Sequence, residues 1–171
     1  MRLLIHDLEK ADVKNHIGSF SEDVMVIDNT KQINNCIGCF GCWIKTPASC
    51  VIKDSFMDMG KLIAKSDEII ILSRCVFGGY SPFIKNVLDR SISYVLPYFT
   101  MRRGEMHHKS RYLKQGKLSV YFYGEDITDE ERQTAQNLVA ANALNLNMIS
   151  KNCIISKSLN DLKGELKWIS L

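Results

Sequence analysis

Residues 69–82 read Ile69-Ile70-Ile71-Leu72-Ser73-Arg74-Cys75-Val76-Phe77-Gly78-Gly79-Tyr80-Ser81-Pro82. The first four are apolar without a break and have polar neighbours on both sides, which is how a parallel strand buried on both faces looks. A half-exposed strand would alternate instead. Pro82 suits a first helical position, and Ile84, Leu88, Ile92 and Val95 then share one stripe of a long helix. Between strand and helix, Gly78 and Gly79 let the backbone approach a flat ligand, and Phe77 and Tyr80 could stack on it. The helix N-terminus behind the loop favours a negative group. An ordinary strand-to-helix turn, in which the glycines only solve geometry, accounts for the same residues equally well.

The same alternation extends in both directions. Leu3-Leu4-Ile5 and Val24-Met25-Val26-Ile27 read as short strands, and a turn-rich cysteine segment runs from Asn34 to Cys50. A helix capped by Asp54 or Ser55 would place Phe56, Met59, Leu62 and Ile63 on one face. Beyond residue 100, Leu118 to Tyr123 is rich in β-branched and aromatic residues and reads as a strand. Thr128-Asp129-Glu130-Glu131 is a capping box: the Thr128 hydroxyl takes the amide of Glu131, and the Glu131 carboxylate reaches back. The helix it opens presents Ala135, Leu138, Val139 and Leu146 on or near one face. Cys153-Ile154-Ile155 reads as the last strand, and the tail from Leu159 to Leu171 is ambiguous. Five strands alternating with helices predict an α/β fold on a parallel sheet. Ligands of such sheets sit at the carboxyl ends of the strands, near the switch in strand order. The loops after Ile5, Leu72 and Tyr123 are therefore the places to look for a site.

The 171 residues suit one domain, residues 1–171, and 46% apolar with 24% charged is an ordinary globular mix. A net charge of +3 is too small to imply nucleic-acid binding. No apolar run approaches the roughly 20 residues of a membrane span. The opening Met1 to Lys10 does not read as a signal peptide, so the cytoplasm is the expected compartment. There, six cysteines are more readily free, metal-binding or redox-active than structurally bridged.

Cys36, Cys39, Cys42 and Cys50 are spaced by two, two and seven residues. Tandem CxxC spacing lets thiolates converge on one metal centre and is a pattern of iron–sulfur clusters. Zinc usually separates two CxxC pairs by a longer insert. Gly38 and Gly41 fit a tightly wound loop. A small turn with buried free thiols, or a redox pair, is the competing account. Cys75 and Cys153 read as core packing, Trp43 as packing or as cover for a cluster or flat ligand, and His6 and His16 as isolated.

The run Cys36-Ile37-Gly38-Cys39-Phe40-Gly41-Cys42, followed by Cys50-Val51-Ile52-Lys53-Asp54 and Lys85-Asn86-Val87-Leu88-Asp89-Arg90, resembles the NADPH-dependent FMN reductase family of flavodoxin-like proteins, with the iron–sulfur flavoproteins as a close branch. The match spans roughly Asn35 to Arg90, and Tyr121-Phe122-Tyr123-Gly124 fits the next strand and flavin loop. The resemblance implies a flavodoxin-like three-layer sandwich with a five-stranded parallel sheet, assembled as a homodimer or homotetramer. It implies FMN at the strand ends: Ser73, Arg74, Cys75, Val76, Phe77, Gly78, Gly79 and Tyr80 against the isoalloxazine, and Tyr123, Gly124 and Glu125 at its other edge. The flavin would carry the hydride from NAD(P)H to a flavin, quinone or other small-molecule acceptor, with the protein supplying orientation. Lys85 and Asp89 stand one helical turn apart, an ion-pair spacing. Asp89-Arg90 is expected to be scaffold holding the flavin loop. The iron–sulfur branch implies a 4Fe-4S cluster on Cys36, Cys39, Cys42 and Cys50, and an electron-carrier role.

The first loop departs from the family. Members follow the first strand with a loop rich in Ser, Thr and Asn that holds the FMN phosphate. Here it is His6-Asp7-Leu8-Glu9-Lys10-Ala11-Asp12, with three carboxylates and no Ser, Thr or Gly, and anions repel a phosphate. Either FMN is held weakly by something else, or this is a degenerate flavodoxin-like protein that has lost the flavin. The segment before Val24 is also short for a full helix. One substitute for the phosphate loop is the stretch from Met101 to Lys117, with Arg102, Arg103, Lys109, Arg111, Lys114 and Lys117 against Glu105. A solvated basic loop explains the same composition. Arg74 stands where the family has Pro, and Val76 where an aromatic often follows. An N-terminal extension would restore a phosphate loop.

Overall fold

A computed structural model of the chain describes residues 1–167; the last part of the ambiguous tail, 168–171, lies outside the described residues. The elements run β1 (Arg2–His6), α1 (Lys10–His16), β2 (Val24–Ile27), α2 (Gly41–Ile44), α3 (Met59–Lys65), β3 (Glu68–Arg74), α4 (Pro82–Arg90), a 3-10 turn (Ile92–Tyr94), β4 (Val95–Arg102), β5 (Glu105–Ser110), β6 (Lys117–Tyr123), α5 (Asp129–Asn145), β7 (Ile149–Ser156) and α6 (Leu159–Leu166). Five strands form one sheet in the order β2-β1-β3-β6-β7. All of its pairings are parallel.

The register explains the layers. Leu3, Ile69 and Leu118 stand side by side across β1, β3 and β6, as do Leu4, Ile70 and Ser119 one residue on. Successive side chains point to opposite faces. Leu3, Ile5, Ile69, Ile71, Leu118, Val120 and Phe122 therefore pack under α3, α4 and α5, against Met59, Ile63, Ile84, Val87, Ala135 and Val139. On the other face Leu4, Ile70, Leu72 and Tyr121 meet Leu162 and Leu166 of α6, with Val13 of α1 beside them. The three-layer α/β sandwich expected from the strand–helix alternation is present.

Three local readings are corrected. The stripe from Ile84 through Val95 is not one helix, because α4 ends at Arg90 and Val95 opens a strand. Pro97 cannot donate to a helix, and it biases Leu96 toward extended backbone. The helix expected from residue 54 starts only at Met59. Asp54 instead makes a turn, taking the amide of Phe56 at 3.0 Å, and turns its carboxylate toward Arg90. The basic stretch is not one loop: it runs from the end of β4 through the turn and β5 of an antiparallel hairpin, then through 111–116 to the first residue of β6. Arg103 and Gly104, both at positive φ, make its two-residue turn. Several of its cations are used structurally. Arg102 donates to Ser110 Oγ at 3.0 Å, Arg111 to the carbonyl of Ser93 at 2.9 Å, and Lys114 pairs with Asp67 at 2.8 Å. The capping box is as expected, with Glu131 N–H donating to Thr128 Oγ1 at 3.2 Å and Thr128 N–H to Glu131 Oε2 at 2.9 Å.

Gly60 of α3 presses on the 3-10 turn, where a Cβ would stand 2.8 Å from Tyr94 N and collide with Ser93 Oγ. Helix propensity alone favours Ala over Gly by about 0.5–1 kcal/mol. Overpacking opposes it, so Gly60→Ala is expected to destabilise the fold by about 1–3 kcal/mol in urea unfolding.

Candidate functional site

The chain steps from β1 to β2 on one side, then crosses back over β1 to β3 on the other. The strand ends diverge there, and this crevice is where doubly wound sheets take ligands. Here it is closed by a side chain. The Asp7 carboxylate, just past β1, accepts the Arg74 N–H at the end of β3 (2.9 and 3.3 Å) and the Tyr123 O–H at the end of β6 (3.0 Å). Burial and the charge of Asp7 push the Tyr123 hydroxyl above its ordinary range, so it keeps its proton and donates. His6 is buried, and its Nδ1 accepts the Leu8 N–H at 3.2 Å. Burial also lowers the His6 pKa, in keeping with that acceptor role. Three donors facing the crevice are thus already engaged, and α1 behind them is only seven residues with Asp12 in its first turn. The residues at this position do not fit an FMN phosphate: the donors are taken, two of them by the anion Asp7 and the third by His6.

The loop after β3 is built as the glycines suggested. Val76 and Gly79 exchange both backbone hydrogen bonds (2.9 and 2.8 Å) across a turn whose central residues, Phe77 and Gly78, have φ of 51° and 74°. Only glycine suits position 78, where a Cβ would lie 2.7 Å from Thr134 Cβ and 2.8 Å from Glu131 O on α5. Phe77 is 88% exposed at the tip, an aromatic held in left-handed backbone and turned to solvent. Ser73 is buried; its Oγ accepts the Ser81 N–H at 2.9 Å and donates to the Arg74 carbonyl. Arg74 is exposed, while Cys75 is half-buried with its thiol pushed up by burial. The Cys75 N–H donates to Tyr123 O at 2.9 Å, and Gly124 N–H to Ser156 O at 3.1 Å, which sets the loop of Tyr123, Gly124 and exposed Glu125 beside it. Tyr80 is turned into the core. Its ring stacks on Phe122 at 5.3 Å, and its hydroxyl accepts from Asn142 at 3.2 Å.

Cys36, Cys39, Cys42 and Cys50 line one small cavity of about 70 Å³, with Asp89 and Arg90 in its wall. Cys36 and Cys39 are exposed, and Cys42 and Cys50 are buried. The Gly41 N–H donates to Cys39 Sγ at 3.4 Å, and a Cβ at Gly41 would meet Val51 at 2.5 Å, while Gly38 serves the winding through its φ of 64°. Burial, then the neighbouring thiols, raises the Cys42 pKa. Among the described residues, no three His, Cys, Asp or Glu side chains are gathered closely enough to hold a metal ion.

Asp89-Arg90 is scaffold, but for a different loop from the one expected. Arg90, 1% exposed, ties off the base of the cysteine segment. It donates from Nη1 to Asn34 O (2.7 Å) and Asp54 Oδ2 (2.8 Å), and from Nη2 to Ile52 O (3.2 Å) and Asp54 Oδ1 (2.8 Å). These bonds hold the Asp54 carboxyl well below the usual range. Arg90 Nε is buried without a hydrogen-bond partner, close to the Cys50 thiol. The Lys85–Asp89 pair forms at 2.5 Å. Trp43 packs against the hairpin: it lies between Phe40 (5.3 Å) and His108 (5.0 Å) and donates to Val95 O at 3.0 Å.

Sequence reasoning missed a cavity of about 780 Å³ between α4, α5 and the hairpin. Cys36 and Gly38 of the cysteine segment line it together with Gly79 and Tyr80 of the glycine loop. It could not be read from the sequence because its walls come from segments far apart in the chain that meet only in the folded protein.

No family model matches the chain. An iron–sulfur flavoprotein of Methanocaldococcus jannaschii is 39% identical over 61 residues, which cover 36% of this chain and 31% of that protein. Among solved structures, general stress protein 14 of Treponema denticola, in complex with FMN, matches with a TM-score of 0.54 at 14% identity, over 98% of this chain and 91% of that one. The Trp repressor binding protein of Bacillus subtilis matches at 0.56 and 13%, over 100% and 99%. An NADPH-quinone reductase of P. pentosaceus matches at 0.53 and 11%, over 98% and 92%. The chain has the flavodoxin-like fold that its motifs resemble.

Two outcomes follow for the clamps. Asp54→Asn strands a buried guanidinium and is expected to cost about 3–5 kcal/mol in chemical denaturation. Burial pushes the Tyr80 hydroxyl up to about 12, against about 10 in an unfolded chain. The unfolded state therefore loses this proton first, and the contribution of Tyr80 is complete below pH ~10 and falls away toward pH ~12. Tyr80→Phe is expected to flatten that alkaline decline by about 2–3 kcal/mol, read from urea midpoints across the pH series.

Proposed function

We propose that this chain is a flavin-using oxidoreductase that passes electrons from NAD(P)H to a small acceptor. The observation that carries the reading is the pairing of two loops at one edge of the sheet. The Val76–Gly79 turn with exposed Phe77 and the Tyr123–Glu125 loop lie side by side at the strand ends. In sheets of this strand order flavins bind at this edge. The neighbour solved with FMN supports the reading through its shared fold.

The flavin would carry the redox chemistry. The chain's own residues orient and shield it. Gly78 keeps the turn seated on α5, Phe77 offers an aromatic face, and Tyr123 keeps its proton as a hydrogen-bond donor at the inner end of the crevice. Tyr98, Phe99, Met101 and Met106 are exposed along the hairpin, and a second copy of the chain would cover them.

A second reading, an iron–sulfur electron carrier, is favoured by the four cysteines around one cavity and by the identity to an iron–sulfur flavoprotein. Four thiolates are the donor set of a four-iron cluster, and Cys36, Cys39, Cys42 and Cys50 would draw closer together than they stand here to hold one, beside the Arg90 guanidinium. Such a cluster supplies one-electron transfer.

Protein purified without oxygen and titrated with flavins should shift the flavin absorption bands saturably, to about one flavin per chain. No perturbation by any flavin overturns the oxidoreductase. For the second reading, about four iron and four sulfide per chain are expected, and both should be lost in Cys39→Ser. Protein made anaerobically with neither element overturns that reading.

A further inference from the structure

We infer that the flavin site selects an unphosphorylated flavin, riboflavin, over FMN, because the Asp7 carboxylate is itself the anion that occupies the crevice between the strand ends. The inference rests on the flavin reading above and specifies its ligand.

A phosphate at a strand–helix switch point is held by free backbone amides, hydroxyls and the N-terminal end of a helix. Here each of those parts is spent or altered. The Arg74 N–H and the Tyr123 O–H both donate to Asp7, at 2.9 and 3.0 Å. The Leu8 N–H is taken by His6 Nδ1 at 3.2 Å. The helix that follows is only seven residues long and carries the Asp12 carboxylate in its first turn, which opposes an incoming anion.

The surrounding charge has the same sign as Asp7. Asp12 and Asp7 both bear on the Tyr123 hydroxyl, with Arg74 the opposing cation. Asp28, at the end of β2, adds a further carboxylate beside His6, opposed by Lys10. A phosphate dianion brought here would displace the hydrogen bonds of Asp7 and then stand against its charge. Neutral riboflavin meets neither obstacle, because it ends in a hydroxyl that can donate to Asp7. The ring loops at 76–79 and 123–125 are indifferent to the difference, since the two flavins share one ring.

The test is a pair of fluorescence-quenching titrations, riboflavin and FMN, at low and at ~0.5 M salt, on the wild-type chain, Asp7→Asn and Glu9→Gln. Riboflavin is expected to bind at least about tenfold more tightly than FMN at low salt. High salt should narrow the gap, since charge repulsion at an exposed crevice is screened. Asp7→Asn removes the charge but keeps the shape and an acceptor oxygen, and should tighten FMN by a larger factor than it changes riboflavin, closing the gap between the two. Saturable riboflavin binding, with a wild-type urea midpoint, reports that the variant is folded. Should Asp7→Asn fail to fold, exposed Glu9→Gln reads the same charge effect in reduced size. FMN binding as tightly as riboflavin, or more tightly, overturns the inference and leaves the flavin reading standing. A riboflavin preference that survives both charge-removing variants also overturns it. Binding of neither flavin overturns the flavin reading and this inference with it.

Discussion

Ile70, Ile71 and Leu72 of β3 have no solvent-accessible surface, and a strand in that position can exist only between two helical layers. Its neighbours must reach it by crossovers, since each face is already covered, and crossovers make the pairings parallel. Parallel pairing in turn delivers the ends of β1, β3 and β6 to one edge of the sheet. Asp7, Arg74 and Tyr123 meet there although they are far apart in the chain. Every candidate contact of the flavin edge is a consequence of that one enclosed strand.

Two carboxylates then divide the work of fixing the loops. Asp54 neutralises a guanidinium that is wholly removed from water, and together they bind both flanks of the cysteine segment to α4. A buried charge demands a partner of this kind. Asp7 has no cation in its hydrogen bonds; it is satisfied by a backbone amide and a phenol. Its charge therefore remains available to act on whatever enters the crevice. The first carboxylate builds the scaffold, and the second sets the electrostatic character of the site.

The cavity of about 780 Å³ borders both the cysteine segment and the glycine loop. It touches the cysteine segment at Cys36 and the glycine loop at Tyr80, with the Lys85–Asp89 pair on α4 between them. One cleft thus borders both the thiol-lined cavity and the base of the loop that carries Phe77 at its tip.

Much of this was legible in the residues themselves. The unbroken run Ile69 to Leu72, the capping box at Thr128 and the i, i+4 pair Lys85–Asp89 are local signals, since each depends on neighbours within a few residues. They determine the layers, the helix starts and the position of the site loops. The acidic first loop was legible too, as composition. Other features were decided by tertiary contact. Nothing near Arg90 in the chain says that its partners are Asn34, Ile52 and Asp54. Nothing in Glu105 to Ser110 says that it folds back on Val95 to Arg102, because antiparallel pairing is a property of two strands together. Nor does the sequence say what Asp7 holds. Its hydrogen-bond partners lie 67 and 116 residues away, and only a parallel sheet brings them within reach of one carboxylate.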